Sequence, residues 1–139
     1  MTLPQEDKHS TLVADWSKKN ASGISLDQHV LLLEKAIRAM EQRALVTLSN
    51  VILVVILDRV LHQGKEKFPL LYEIKLDPKN LVSFELLRTN KNYKSEELIE
   101  AYQYLLVDLL RVLGRITADI LTVPLHQELL KVTWDSENL

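Results

Sequence analysis

The sequence predicts a mainly α protein: a helical bundle framed by two long antiparallel helices, with short flanking helices and room for one small β-hairpin around residues 71–87. Three observations carry that expectation. Only three glycines and four prolines punctuate 139 residues, too few turn formers for a many-stranded fold. Apolar residues recur at alternating steps of four and three over two long stretches, which is helical spacing. Residues suited to N-caps stand before both stretches. The length is that of one domain, 1–139, able to bury roughly 70% of the surface its unfolded chain exposes. Residues 1–9 and 136–139 are expected to be disordered ends.

A short first helix is predicted over Ser10–Lys19, with Leu12, Val13 and Trp16 on one side and "NASG" ending it. The second helix starts after Ser25, an N-cap with Gln28 at the capping-box position. Its seam runs Leu26, Val30, Leu33, Ile37, Met40 and Ala44. Beyond it lies Ala44–Leu57, "ALVTLSNVILVVIL", which carries no charge. Strand alternation is missing there, and Arg43, Thr47, Asn50, Val54 and Asp58 share one helical face opposite Leu45, Leu48, Ile52, Val55 and Ile56. The β-branched content favours a strand, but continuity with the seam upstream favours one helix over about 25–62, closed near Gly64. Its greasy middle has to be covered by other helices or by a second copy of itself.

Residues 71–87 admit two readings. Asp77–Pro78 suits an N-cap and first helical residue, giving a helix to about Arg88. Tyr72, Ile74 and Leu76 alternate, as do Val82, Phe84 and Leu86, which suits a hairpin. A four-residue loop puts those two sets on opposite faces, so the hairpin needs a five-residue loop or a bulge. The helix is the expected form. The last long helix, about 95–122, opens on Ser95 with Glu96 and Glu97 in its first turn, where the macrodipole favours acids. Leu98, Tyr102, Leu105, Leu109, Val112 and Ile116 form its seam, and Ile99, Leu106, Leu110 and Leu113 widen it. Gly114 is tolerable inside it where a neighbour crosses closely. Pro124 is expected to end or kink it before a short final helical turn.

Composition excludes several function classes. Net charge is −2, so no global field holds a polyanion, and nucleic acid is not an expected partner. Residues 63–94 carry seven basic against four acidic groups and residues 95–139 three against eight, an asymmetry able to steer a self-contact. The absence of cysteine removes disulfides, thiolate catalysis and Cys-based metal sites. Fourteen uncharged residues fall short of the ~20 needed to cross a bilayer, so no membrane span is expected. With no secretory pattern at the N-terminus, the cytoplasm is the expected location.

Motifs for chemistry are sparse. Glu96, Glu97 and Glu100 resemble half of a Mg²⁺-binding helix pair, but the partner E-x-x-D motif is missing, so they read as helix-start acids. The four histidines lack metal-ligand spacing, and no cofactor or metal site is expected. Nor is there a G-x-S-x-G elbow or a phosphate-cradling glycine loop. Asp108, Arg111, Arg115 and Asp119 make a charge ladder on one helix face, read as a wet stripe that offers Arg111 and Arg115 to an anion or partner. Trp16 and Trp134 are candidate interface anchors, with core caps as the plainer role. His62 and His126 are the candidate phosphoacceptors.

The expected function is a non-enzymatic protein–protein interaction module: an adaptor, chaperone or regulatory subunit acting as a homodimer on an unknown protein partner. One alternative is a regulatory domain sensing a small apolar molecule between the long helices, oriented by Thr47 and Asn50. The other is a histidine phosphotransfer protein.

Overall fold

The computed structural model describes residues 5–21, 23–77, 81–89 and 93–133. Among them are α1 (Gln5–Asn20), α2 (Leu26–Thr47), α3 (Asn50–Lys67), α4 (Glu85–Thr89), α5 (Ser95–Ile116) and α6 (Thr122–Lys131). A 3₁₀ turn at Pro69–Glu73 leads into a two-stranded antiparallel sheet, β1 (Lys75–Asp77) and β2 (Leu81–Ser83). This is the mainly α bundle that the sequence predicts, with the small hairpin for which it left room.

The long helix expected over 25–62 is two helices. Leu48 is extended (φ −108°, ψ 151°), and the Ser49 hydroxyl caps α3 by accepting the Ile52 N–H at 3.3 Å. Ser49 and Asn50 compete with helical backbone bonding and favour cap positions, so the apolar run was continuous but the backbone preference was not. A 38-residue rod would also reach ~57 Å, far beyond what 139 residues can surround. Breaking it lets α2 bury Val30, Leu33, Ile37 and Met40 while α3 turns Leu53, Ile56, Leu57, Val60 and Leu61 inward.

The break also changes the frame. Residues flanking the start of α5 lie near the start of α2: the Tyr93 hydroxyl feels the charge of Asp27, and the Tyr102 ring lies 6.2 Å from that of His29. Farther along, Ile37 meets Leu105 and Leu109. Thus α2 passes α5 in the same sense. The antiparallel partner of α5 is α3, whose Gly64 faces Leu105 and Tyr104 while Leu57 and Val60 meet Leu109. Also antiparallel to α5 is α1: Ser17 shares a 3.1 Å hydrogen bond with the Tyr102 hydroxyl, and His9 lies beside Gly114.

The hairpin is real, and the helix expected from Asp77 is not there. Lys75 pairs with Ser83, Leu76 with Val82 and Asp77 with Leu81, leaving an odd number of residues, 78–80, between the strands. That register puts Ile74, Val82 and Phe84 in the core, which the parity of the two apolar sets demands. Val82 turns its own N–H and C=O away from β1. Glu41 Oε2 accepts the N–H at 3.3 Å, and Arg38 Nη2 donates to the C=O, while Arg38 Nη1 binds Glu41 Oε1 at 2.8 Å. Side chains of α2 thereby finish the edge of β2 as a third strand would.

Other boundaries shift for local reasons. Residues 5–9, expected to be disordered, belong to α1; residues 1–4 and 136–139 lie outside the described part. Gly64 does not close α3, which runs to Lys67. It is a packing position where a Cβ would sit 2.8 Å from Leu71 Cδ1. The cap of α5 is Lys94 rather than Ser95. Its end is Ile116, where the Thr117 hydroxyl donates to the Leu113 carbonyl and accepts the Leu121 N–H. Ala118 and Asp119 take left-handed φ values of 51° and 64° to reverse the chain. Pro124 sits in the first turn of α6, where a missing N–H costs nothing.

Candidate functional site

Helix directions decide what gathers at each end of the bundle. The C-terminal end of α2, the start of α3, the end of α5 and the start of α6 all meet at one end. Among the described residues, eleven large hydrophobic side chains are exposed, and eight of them are here. Leu45 and Val46 come from α2, and Val51, Ile52 and Val55 from α3. Ile116, Ile120 and Val123 come from the α5–α6 corner. Val46, Val51 and Ile120 are 74%, 72% and 71% exposed, so nothing among the described residues covers them.

The elbow at Leu48–Ser49 is the cause. By folding the apolar run back, it spends the Leu53–Ile56–Leu57 face on the core and turns the Val51–Ile52–Val55 face outward. The sequence grouped Leu45, Leu48, Ile52, Val55 and Ile56 as one apolar side; of these only Ile56 is buried. With about 150–180 Å² for a fully exposed valine, leucine or isoleucine, the eight side chains offer roughly 800 Å², one partner's share of a standard interface.

A second feature lies on another face. Helices α1 and α3 flank α5 and leave a groove of 620 Å³ between them. Val13 and Ala14 of α1, Lys67 and Phe68 at the end of α3, and Glu100, Gln103, Tyr104, Val107 and Arg111 of α5 line it. The Phe68 and Tyr104 rings lie 5.7 Å apart, and Lys67 Nζ sits 4.8 Å from the Tyr104 centroid. Beside the groove Asp108 is only 7% exposed, and its Oδ2 makes no hydrogen bond. Burial lifts its carboxyl above the usual carboxylate range, against the pull of Arg111, Arg115, Arg59 and Lys67. The same burial, then the Asp108 charge, lifts the Tyr104 hydroxyl. The charges of four cations thus act on one buried carboxyl group.

The candidate residues fall in different surroundings. Arg111 is half-buried in the groove wall and Arg115 is exposed one turn on, so the ladder borders the groove; Asp108, expected to be wet, is buried against α3. Trp16 is 2% exposed and donates its indole N–H to the Val132 carbonyl at 2.7 Å, which ties α1 to the end of α6. Trp134 lies outside the described residues. His62 is exposed, 3.7 Å from Glu66 one turn along. His126 is half-buried, and its Nε2 shares a 2.8 Å hydrogen bond with Nδ1 of buried His9. Burial holds its imidazole below the ordinary value.

Sequence reasoning missed the His9–His126 pair because 117 positions separate the two. No local pattern marks such a contact. Among the described residues no group of three metal-ligating side chains converges, and no helix is long and apolar enough to cross a membrane. Thr47 and Asn50 are exposed, and the space where Ile37, Leu57 and Leu109 meet is 10 Å³, about that of one water or less. A ligand between α2, α3 and α5 would have to part them. Compared with family models, curated proteins and solved structures, the chain matches none.

Proposed function

We propose that the protein is a non-enzymatic protein–protein interaction module, an adaptor, chaperone or regulatory subunit, that acts as a homodimer joined through its apolar end. The observation that carries this reading is the cluster of eight uncovered aliphatic side chains at the α2–α3 and α5–α6 corners. Burying each fully is worth roughly 1.5–3 kcal/mol, and leaving all of them in water forfeits that. A second copy suits the surface. No charge lies between Ala44 and Leu57, while a base, Arg43, stands before the run and an acid, the exposed Asp58, stands after it. A twofold apposition can therefore set Arg43 of each copy toward Asp58 of the other around an apolar centre. The cytoplasm, whose reducing conditions a chain with no cysteine is indifferent to, is the proposed setting.

Light scattering on the eluting protein tests the assembly. The expected mass is twice the 16.0 kDa of one chain, and Val46→Asp with Val51→Asp should reduce it to one chain without changing the circular dichroism of the helices. Both side chains are exposed in the protomer, so the fold tolerates the change. A wild-type mass of one chain at several hundred micromolar, or a double variant that stays dimeric, would refute the reading.

A further inference from the structure

We infer that the homodimer forms by exchange: in each copy α2 and α3 straighten at Leu48–Ser49 into one helix over residues 26–67, and α1 and α2 of one chain pack on α3 to α6 of the other. The inference rests on the dimer proposed above and specifies how its apolar end is closed. The bend is local. Leu48 (ψ 151°) and Ser49 (ψ 159°) alone interrupt the helix, and Ser49 already has a helical φ of −71°. No glycine or proline stands between Gly23 and Gly64. The ladder of backbone bonds reaches Leu48, whose N–H binds the Ala44 carbonyl, and resumes at Leu53, whose N–H binds that of Ser49. Turning two ψ angles therefore adds the helical bonds of the N–H groups of residues 49–52 and gives up one cap, from the Ser49 hydroxyl to the Ile52 N–H.

The straight helix gains a seam. Leu45, Leu48, Ile52 and Val55 follow at steps of three, four and three, the spacing that lines one side of a helix for a partner helix. The elbow splits that side: Leu45, Ile52 and Val55 are exposed and Leu48 is half-buried. Two straight helices crossing antiparallel about a twofold axis at residue 50 set Leu45 opposite Val55 of the other copy, and Leu48 opposite its Ile52. The same crossing brings Arg43 toward Asp58 of the other copy. The core is kept, because each interior contact across the elbow, such as that of Ile37 with Leu105 and Leu109, is remade with the other chain. A helix over residues 26–67 spans ~63 Å, too long for one chain to surround, and two chains supply a lobe for each half of it.

The chain has no cysteine, so Glu34→Cys with Arg88→Cys supplies its only two thiols. Glu34 Oε2 of α2 and Arg88 Nη1 of α4 lie 3.2 Å apart, both partly exposed, with the elbow between them in the chain. A short bismaleimide joins the thiols, and a denaturing gel reads the product: one chain from the bent form, two chains from the exchanged form. Glu34 stands ~22 Å before Ser49 along α2, so two bent copies meeting at their apolar ends keep the crosslink within each chain. The two-chain product is expected to dominate in the dimer. Ser49→Pro should lower its share at least about tenfold: proline takes the φ of Ser49 and favours an extended residue before it, but in a straight helix its ring meets the carbonyl of residue 45. Ser49→Ala, which removes the cap and favours helix, should retain it. A one-chain product from a particle with the light-scattering mass of two chains overturns the exchange and leaves the dimer standing. An undiminished two-chain product in Ser49→Pro also overturns the exchange, and a mass of one chain overturns both readings.

Discussion

Glu41 is 3% exposed, yet its carboxylate is not simply a buried charge balanced by Arg38: one oxygen is the acceptor for the Val82 N–H. Two substitutions separate those roles. Glu41→Gln removes the charge and keeps an acceptor, whereas Glu41→Leu removes both at similar volume. Burial raises the Glu41 carboxyl above its usual value despite the Arg38 and Val82 bonds, so the charged form is disfavoured in the fold. The glutamine variant should therefore match or exceed the wild type at pH 7. The leucine variant strands a buried N–H, which costs roughly 1–3 kcal/mol. Arg38, 35% exposed, turns to water and adds little.

The gap between the two variants should thus be about 1–3 kcal/mol, or roughly 4–12 °C in melting temperature for a chain of this size. A raised folded-state value means stability that is present below the unfolded pKa of 4.5 and is lost as pH rises through the folded value. Any advantage of Glu41→Gln should accordingly vanish on acidification toward pH 4. Urea unfolding gives the energies, and hydrogen exchange at the Val82 amide gives the local effect. If Glu41→Leu is as stable as Glu41→Gln, and Val82 exchanges no faster in it, the edge-completing role of Glu41 is wrong.

Three further outcomes are expected. Gly114→Ala would gain about 1 kcal/mol on helix propensity alone. Its Cβ would stand 2.9 Å from Thr122 Oγ1 and 3.0 Å from Asp119 Oδ1, so a net loss of roughly 1–2 kcal/mol is expected. Thr122→Ala in the same chain should restore part of it in a double-mutant cycle. His29, 2% exposed with no hydrogen bond at Nδ1, is held below 6.5 by burial. Its contribution is present above 6.5 and is lost as pH falls through the folded value, at up to about 1.4 kcal/mol per pH unit. His29→Leu should flatten that slope between pH 6.5 and 5 in urea melts, and an unchanged slope would count against it. Trp16→Phe removes the bond to the Val132 carbonyl and should cost about 1–2 kcal/mol, with faster exchange at the end of α6 than in α2.

Much of the bundle was written locally. The capping box at Ser25 and Gln28 forms as the spacing implies, and the four-three seams of α2 and α5 bury Val30, Leu33, Ile37, Leu98, Leu105 and Leu109. Caps and periodicity act within a few residues of chain, so they can be read in one dimension. The hairpin was half legible: the odd register that buries Ile74, Val82 and Phe84 was implied by parity, but Asp77–Pro78 suits a turn as well as a helix start. What separated the two was the hold that Glu41 and Arg38 take on Val82, forty-one and forty-four positions away.

The interaction surfaces depended on tertiary structure. An apolar run tells which residues avoid water, not which of them find cover, and the bend at Leu48–Ser49 turns Leu53 in and Val51 out. The groove, the burial of Asp108 and the meeting of His9 with His126 likewise require helix directions and crossings. Those follow from how whole faces pack, a sum over many weak contacts that no stretch of sequence holds by itself.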